Sequence, residues 1–215
     1  MAKPSTLPTR ERLVMTAMDL FSRKGYESTS VADVLQQAKV NSGSLYHYFP
    51  GKRELLLAVL DAYQGGIEPM LLTPAWKGVT DPIERVFALL ERYRAGLAMT
   101  ECSYACPIGS LALEIHEPDP PVRKALARNF EAWVRAVEGC LDAAGDRLPR
   151  GTDRRGLAEF VLTTMEGAVM QARTHRDIAC FDRSVAQLRR YFDLLEGRPP
   201  RASRPPRPTR KGARP

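Results

Sequence analysis

The chain has 215 residues, of which 44% are hydrophobic, and a formal net charge of +7. This length admits one large domain or two small ones, and the apolar content is sufficient for a buried core. The sequence has neither an N-terminal apolar run of signal-peptide length nor any apolar run of about 18 residues, so we expect a soluble cytoplasmic protein without a membrane partner. Its four cysteines are too few in such a chain to indicate a disulfide scaffold.

The positive charge is concentrated at the two ends of the sequence. Seven basic residues from Arg198 onward account for the whole net charge of +7, and no acidic residue accompanies them. Residues 1–56 carry a net charge of +3, and residues 57–197 carry −3. Residues 197–215 are mostly Pro, Arg, Gly and Ser, which predicts a disordered basic tail. A basic head and tail fit a polyanionic partner, although solvated basic faces are also common.

Apolar residues recur at the helical period through residues 9–56, which follow a flexible arm at residues 1–8. The first helix ends at Gly25, and Ser30 with Asp33 three residues later predicts a capping box that opens a second, short helix. The inward-facing apolar residues of these two helices are Leu13, Ala17, Leu20, Phe21, Val31, Val34 and Leu35.

A third short helix follows a tight connection at residues 39–41. It is predicted to hold Leu45 and Phe49 against the core and to stop before Lys52 starts a fourth helix. Two short helices joined by a tight turn and braced by a longer first helix are the layout of a helix-turn-helix domain. We therefore assign residues 9–56 to such a domain.

Longer helices are predicted throughout residues 57–196, which we assign to a helical regulatory and dimerisation domain. Asp81-Pro82 and Cys106-Pro107 are each typical of an N-cap followed by proline at the first helical position. The predicted helices cover approximately residues 82–99, 107–116, 119–144, 153–175 and 182–196. No segment alternates at the strand period, so the predicted fold class is all-α.

The free face of the third helix carries small and polar residues. Small residues at a helix N-terminus let the backbone approach DNA closely, and the N-terminal amides favour phosphate. Tyrosine and histidine can donate to phosphate oxygens or base edges, and a lysine can add a charged phosphate contact. Taken singly, Tyr46 and Tyr48 could equally pack against protein, but the cluster favours DNA. The predicted DNA-binding residues are Thr29, Ser30, Asn41, Ser42, Gly43, Ser44, Tyr46, His47, Tyr48 and Lys52.

Three strings in this region closely resemble the signature of the TetR family of bacterial transcriptional regulators. They are T-S-V-A-D-V at residues 29–34, A-K-V-N-S-G-S-L-Y-H-Y-F at residues 38–49 and K-R-E-L at residues 52–55. Lys39 departs from the pattern, because the family more often has glycine at this turn. The resemblance implies a homodimer whose recognition helices enter successive major grooves of a near-palindromic operator. It also implies a helical C-terminal domain that binds a small-molecule inducer.

The stretch at residues 102–114 resembles a subgroup of TetR regulators, some of which sense electrophiles or oxidants through a cysteine at this place. Cys106 lies at a predicted N-cap, where helix amides and the helix dipole lower a thiol pKa. Cys102, one turn upstream, could resolve an oxidised Cys106 as a disulfide. The alternative is that both are small buried hydrophobic residues. Metal binding is disfavoured because the three histidines are widely separated: His47, His116 and His175.

Methionine and aromatic residues of the regulatory domain could line an adaptable apolar pocket for the inducer, or could simply form the core. The candidates for ligand binding or redox chemistry are Tyr93, Trp133, Met165, Met170, Cys102 and Cys106. On the last helix, apolar residues spaced at i, i+3, i+4 and i+7 form a stripe that we predict to pack against a second subunit. The candidates for this dimer interface are Gly167, Leu188, Tyr191, Phe192 and Leu195.

An enzyme is not expected and no cofactor is predicted, because the sequence has no P-loop, dinucleotide-binding turn, nucleophile elbow or metal cluster. Two alternatives remain open. One is a thiol peroxidase built on Cys106, and the other is a protein that coats DNA or RNA through its basic tail without sequence preference. The favoured function is a TetR-type repressor that an inducer releases from its operator, either by binding or by modifying Cys106. The sequence does not separate a repressor from an activator.

Overall fold

A computed structural model describes residues 7–115, 117 and 119–199, and all regular secondary structure in this part of the chain is helical. The α-helices are α1 (Thr9–Lys24), α2 (Val31–Ala38), α3 (Ser42–Tyr48), α4 (Lys52–Gly66), α5 (Thr73–Trp76), α6 (Pro82–Met99), α7 (Pro107–Glu114), α8 (Pro120–Ala143), α9 (Arg154–His175) and α10 (Ala179–Leu195). A π-helical turn, Ile67–Leu72, joins α4 to α5, and a 3-10 turn, Gly145–Arg147, follows α8. The all-α prediction is confirmed. The arm at residues 1–8 and the tail at residues 197–215 lie largely outside the described residues.

The chain divides into two compact units that do not follow the sequence order. The first unit contains the residues up to Gly78 and those from Ala105 to Val137, and the second contains Val79–Tyr104 and the chain from Glu138 onward. The predicted boundary between residues 56 and 57 differs from this division, because α4 is continuous there. Helix α7 and most of α8 also belong with the N-terminal helices, which periodicity along the sequence does not reveal.

The first unit is organised around one apolar core. Helix α1 contributes Leu13, Ala17, Leu20 and Phe21, as its spacing predicts. Full burial of a large apolar side chain stabilises a fold by roughly 1.5–3 kcal/mol, so this cluster dominates the stability of the unit. Its other buried members are Val14, Val34, Ala38, Leu45, Phe49, Leu55, Leu56, Val59, Leu60, Leu111, Val122, Ala125 and Leu126. The last four come from α7 and α8, so both helices pack on the helix-turn-helix domain formed by α1–α4, which we call the head.

The helical stretch Lys52–Trp76 is long and apolar enough to cross a membrane, judged by length and composition alone. Its Leu55, Leu56, Val59 and Leu60 are nevertheless buried in the core of the first unit. One face of α4 therefore packs in the core of the first unit.

The predicted helix starts are confirmed where a local signal marked them. Ser30 Oγ accepts a hydrogen bond from the Asp33 N–H at 3.1 Å, and Asp33 Oδ2 accepts from the Ser30 N–H at 2.8 Å, which completes the capping box. Asp81 caps α6 by accepting from two backbone N–H groups, and Cys106 is the N-cap residue of α7. In α6 and α7 proline occupies the first turn, where its missing N–H has no helical partner to lose.

The second unit packs α6, α9 and α10 together, with α9 and α10 lying along each other. Its core includes Ile83, Val86, Leu89, Leu90, Val161, Met165, Phe181, Leu188 and Phe192. Two-pronged ion pairs join its helices: Arg94 with Asp182, and Arg189 with Glu84. Arg147 reaches both Asp81 and the nearly buried Glu196.

Two members of the predicted dimer stripe on α10 are buried within a single chain, and the prediction is wrong for Phe192. Leu188 is 2% exposed and Phe192 is fully buried within a single chain. The Phe192 ring meets Phe87 of α6 edge to face, with ring centroids 5.3 Å apart. Phe192 therefore has a partner within the chain on α6, whereas Leu188, Tyr191 and Leu195 line the groove between α9 and α10. Of the other predicted members, Tyr191 is 44% exposed and Leu195 is half-buried.

Candidate DNA-binding interface

Helix α3 has one buried edge and one exposed face. Leu45 is fully buried and Phe49, directly after the helix, is 2% exposed, so these two side chains fix α3 to the core. Tyr46 is 55% exposed and Tyr48 is 41% exposed, with His47 exposed between them. The His47 and Tyr48 rings pack edge to face with centroids 4.9 Å apart. The exposed face is thus aromatic and rich in hydrogen-bonding groups, as the sequence predicts.

The start of α3 is held by Asn41 and leaves its small residues open. Asn41 Oδ1 accepts from the Ser44 N–H at 2.8 Å and so caps the helix. Asn41, Ser42 and Gly43 are all exposed, and Ser44 is half-buried. A backbone free of bulky side chains at this point can approach a phosphate closely.

The turn between α2 and α3 depends on a left-handed residue. Lys39 is exposed and has φ +54°, ψ +50° at the C-cap of α2, and its N–H donates to the Gln36 carbonyl. This conformation is the physical reason that glycine suits the position, since only glycine adopts it without strain. Lysine tolerates it here at a modest cost in stability.

Thr29, a predicted DNA contact, is instead an internal brace. Its side chain is fully buried, and its hydroxyl donates to the Gly25 carbonyl at 2.7 Å. It therefore has no surface to offer a ligand, and this part of the prediction is wrong. Ser30 is exposed, but its hydroxyl already donates to Asp33 Oδ2 at 2.8 Å.

Lys52, another predicted contact, is half-buried against the connection between α1 and α2. Its Nζ lies 4.2 Å from the centroid of the Tyr26 ring and donates to the Glu27 carbonyl at 3.4 Å. A lysine in this position braces the head.

Two contacts of the head come from residues that sequence reasoning missed. Glu114, at the end of α7, accepts from the Tyr26 N–H at 2.9 Å and from the Glu27 N–H at 2.8 Å. Asp119, just before α8, forms an ion pair with Arg53. Both partners are more than sixty residues away along the chain. No local pattern marks such pairs.

The predicted ligand residues fall into both units. Trp133 and Cys106 are buried in the first unit, whereas Tyr93, Met165 and Cys102 are buried in the second. The prediction for Met170 as a lining residue of an internal pocket is wrong, because its side chain is 54% exposed.

Two buried polar atoms on α8 have no hydrogen-bond partner. These atoms are Asn129 Oδ1 and Trp133 Nε1, and they lie one helical turn apart. Asn129 already donates to the carbonyls of Leu60 and Ala125 at 3.0 Å, so its oxygen is the acceptor left over. An acceptor and a donor left unsatisfied in a buried position are expensive for a folded protein.

The four cysteines form no disulfide, and all are buried. Burial raises the pKa of the Cys102 thiol, and the nearby Asp177 raises it further. Tyr63 on α4 has its pKa raised to about 12, first by burial and then by the charge of Cys106. Its phenol is therefore neutral at physiological pH, and it lies near the thiol that begins α7.

The sequence matches two protein-family models. Residues 13–59 match the bacterial regulatory proteins of the tetR family, and residues 82–187 match the C-terminal domain of LmrA/YxaF-like transcriptional regulators. An uncharacterised HTH-type transcriptional regulator of Mycobacterium tuberculosis is 33% identical over 91% of this chain and 98% of its own length. The HTH-type transcriptional repressor DhaR of Mycobacterium sp. strain GP1 is 26% identical over 79% of this chain and 85% of its own length.

Solved structures agree with these matches. The crystal structure of regulatory protein TetR from Rhodobacter sphaeroides superposes with a TM-score of 0.75 and 26% identity, over 84% of this chain and 96% of that one. The chain belongs to the TetR family of DNA-binding transcriptional regulators. Its C-terminal domain is of the LmrA/YxaF-like type, and membership of this family makes it a regulator rather than an enzyme. The family binds operator DNA and dimerises through the C-terminal domain.

Proposed function

We propose that this regulator is a repressor that binds a near-palindromic operator in the cytoplasm and is released by a small-molecule inducer. The observation that carries the proposal is the division of α3 into a buried edge, Leu45 with Phe49, and an exposed face of hydrogen-bonding aromatic residues. A helix fixed in this way can enter a major groove without unfolding the head. The similarity to DhaR, a transcriptional repressor, supports repression rather than activation.

Within this interface the residues have two roles. We assign base-edge contacts to Ser44, Tyr46 and His47, whose side chains lie beyond the first residues of α3. We assign phosphate contacts to the open start of the helix and to flanking side chains. These are Ser30, Asn41, Ser42, Gly43, Tyr48 and Lys52.

Selection of bound duplexes from a random DNA pool tests the operator proposal. A two-fold symmetric site with half-sites roughly one helical turn apart is the expected result. A reporter placed behind that site then tests repression, since deletion of the regulator should raise expression. A protein that merely coats nucleic acid would enrich no sequence, which would overturn the proposal.

We further propose that two copies pair through the exposed groove between α9 and α10. Phe160 is 48% exposed and meets the ring of Tyr191 edge to face at 5.9 Å, and Leu194 is 65% exposed. Gly167, two helical turns from Phe160, has open space where a side chain would be, which permits close approach of a partner helix. Apolar side chains left in solvent on adjacent helices are typical of a subunit interface.

For the inducer we propose a small molecule with an apolar body and a polar group that both donates and accepts a hydrogen bond. Asn129 Oδ1 and Trp133 Nε1 are the acceptor and donor that such a group would satisfy. Trp133→Phe keeps most of the apolar volume and removes only the indole N–H. It should weaken inducer response while operator affinity stays the same, as measured by titrating operator release. An unchanged inducer response would remove this residue from the site.

A second route to release is modification of Cys106, which the position of this residue favours. Cys106 occupies the N-cap position of α7 without a capping hydrogen bond from its side chain, and the far end of this helix holds the head through Glu114. Helix N-termini stabilise a thiolate, and alkylation adds bulk there. Operator release should then be titrated with an electrophile in the wild type and in Cys106→Ser, with Cys140→Ser as the matched control. Release from Cys106→Ser at wild-type electrophile concentrations would rule this route out.

A further inference from the structure

The connection between α1 and α2 is held by a carboxylate from a distant part of the chain. Both oxygens of Glu114 are used, with the Tyr26 N–H donating to Oε2 at 2.9 Å and the Glu27 N–H donating to Oε1 at 2.8 Å. Hydrogen bonds to a charged acceptor are stronger than neutral ones. Glu114 is the last residue of α7. The two N–H groups belong to the connection that directly precedes α2.

Gly25 is shaped to receive this carboxylate. Its φ is +90°, and a Cβ added there would lie 2.7 Å from Glu114 Oε1, well inside contact distance. Glycine is thus required both by the backbone conformation and by the close approach of the side chain. The Gly25 carbonyl also accepts from the buried Thr29 hydroxyl, just before α2 begins. The carboxylate, the connection and the start of α2 therefore form one hydrogen-bonded unit.

A second contact with the head comes from the same region, close to Tyr26. Arg53, at the start of α4, pairs with Asp119, at the start of α8. Glu114 and Asp119 flank the short connection between α7 and α8, so this connection contacts the head before α2 and again after α3. The DNA-reading pair of helices lies between these two attachments along the chain.

We propose that Glu114 is the positioning residue that couples α7 to the DNA-reading helices. While its carboxylate holds the N–H groups of residues 26 and 27, α2 and α3 keep the orientation that fits the operator, and withdrawal of the carboxylate frees them. Helix α7 has eight residues, so it spans about 12 Å and transmits a displacement as a rigid rod. This inference rests on the proposed repressor function, since it assigns the route by which release reaches the DNA.

The first test compares Glu114→Gln with Glu117→Gln. Glutamine keeps the size of the side chain but replaces one acceptor oxygen by an NH₂ that faces a backbone N–H. Glu117 is exposed in the same connection and serves as the matched control, because its substitution removes the same charge. Operator affinity should fall about tenfold in Glu114→Gln and stay within about twofold in Glu117→Gln.

A changed operator spacing separates positioning from simple destabilisation. Insertion of one base pair between the half-sites should weaken wild-type binding steeply, because the heads are held in one orientation. The same insertion should cost Glu114→Gln much less, since its heads are freer to adjust. Equal discrimination by the two proteins would mean that Glu114 only stabilises the fold, and would overturn the proposal.

Gly25→Ala provides a second variant for a double-mutant cycle. In the wild type the added Cβ should displace the carboxylate and strain the backbone, whereas in Glu114→Ala only the strain remains. Gly25→Ala should therefore weaken operator binding less in the Glu114→Ala background than in the wild type. Additive losses would show that the two residues act independently.

Amide hydrogen exchange tests the contact between Glu114 and the two backbone N–H groups in the absence of operator DNA. In Glu114→Gln the amides of residues 26 and 27 should exchange faster, and the loss of protection should extend into α2 and α3. Protection unchanged from Glu117→Gln, or a change confined to the two amides, would overturn the inference. If the wild type selects no operator, the repressor proposal fails on its own, while the exchange pattern still decides whether Glu114 positions the head.

Discussion

Single residues of α3 make the sharpest distinction between contact and support. Tyr46 and His47 are exposed on the face that we assign to DNA, so Tyr46→Ala and His47→Ala should each weaken operator binding by about 1–3 kcal/mol without unfolding the protein. The adjacent Leu45 is the matched control, because it is fully buried. Leu45→Ala should lower the free energy of unfolding by about 2–5 kcal/mol.

Binding curves and urea denaturation measure the two effects separately. Wild-type affinity in the Tyr46/His47 double variant would remove this face of α3 from the interface. A Leu45→Ala variant with the same free energy of unfolding as the wild type would contradict the packing of Leu45 in the core.

Substitutions of Thr29 test whether this residue braces the head internally rather than contacting DNA. Its buried hydroxyl donates to the Gly25 carbonyl at 2.7 Å. Thr29→Val keeps the shape of the side chain but leaves that carbonyl without its donor, so the free energy of unfolding should fall by about 1–2 kcal/mol. Thr29→Ser retains the hydroxyl and should lose less. Equal stability of the two variants, measured by urea denaturation, would show that the hydrogen bond is unimportant.

At the scale of elements, two helix starts of the first unit depend on charged carboxylates. The pKa of Asp33 is lowered below 3.8 by hydrogen bonds from the Ser30 backbone and hydroxyl. The pKa of Asp119 is lowered below 3.8 by the Val122 N–H and by Arg53. A lowered folded-state pKa means that the stabilisation is fully present above the unfolded pKa and is lost as pH falls through the folded value.

Acid titration should therefore weaken the first unit below about pH 4, and hardly affect it between about pH 5 and 7. The free energy of unfolding measured against pH in the wild type and in Asp33→Asn gives the comparison. The variant should be less stable at pH 7, and its curve should converge with that of the wild type in acid. Parallel curves would show that the capping box does not contribute through its charge.

Local signals predicted the elements, but they did not predict which elements pack together. The N-caps at Ser30, Asp81 and Cys106 depend only on the few residues around each helix start, so these starts were predicted correctly from the sequence. The attachment of α7 to the head depends on Glu114 and two backbone N–H groups that carry no side-chain signature. Periodicity predicted the apolar residues of α10 correctly, but it cannot tell that Phe192 packs on Phe87 of α6 while Tyr191 stays exposed.

At the scale of the whole molecule, the groove between α9 and α10 predicts the effect of charges on assembly. Tyr191→Glu with Leu194→Glu adds charge to exposed positions and should give monomers of unchanged helix content that lose tight operator binding. Leu188→Glu is the contrasting variant, since a buried charge there should unfold the second unit. Sedimentation and circular dichroism read the two outcomes. A dimeric double variant would place the interface elsewhere.

At the proposed operator interface, the left-handed turn at Lys39 would exchange some of the head's stability for electrostatic attraction to DNA. Glycine would relax φ +54° and stabilise the fold by roughly 1 kcal/mol, but it would remove an exposed cation from the turn that precedes the recognition helix. Counterion release makes such a cation valuable in dilute salt and nearly worthless in concentrated salt. Lys39→Gly should therefore have a higher free energy of unfolding at every salt concentration, but should bind operator DNA more weakly only at low ionic strength. The ionic strength of the cell thus decides which residue suits the regulator better.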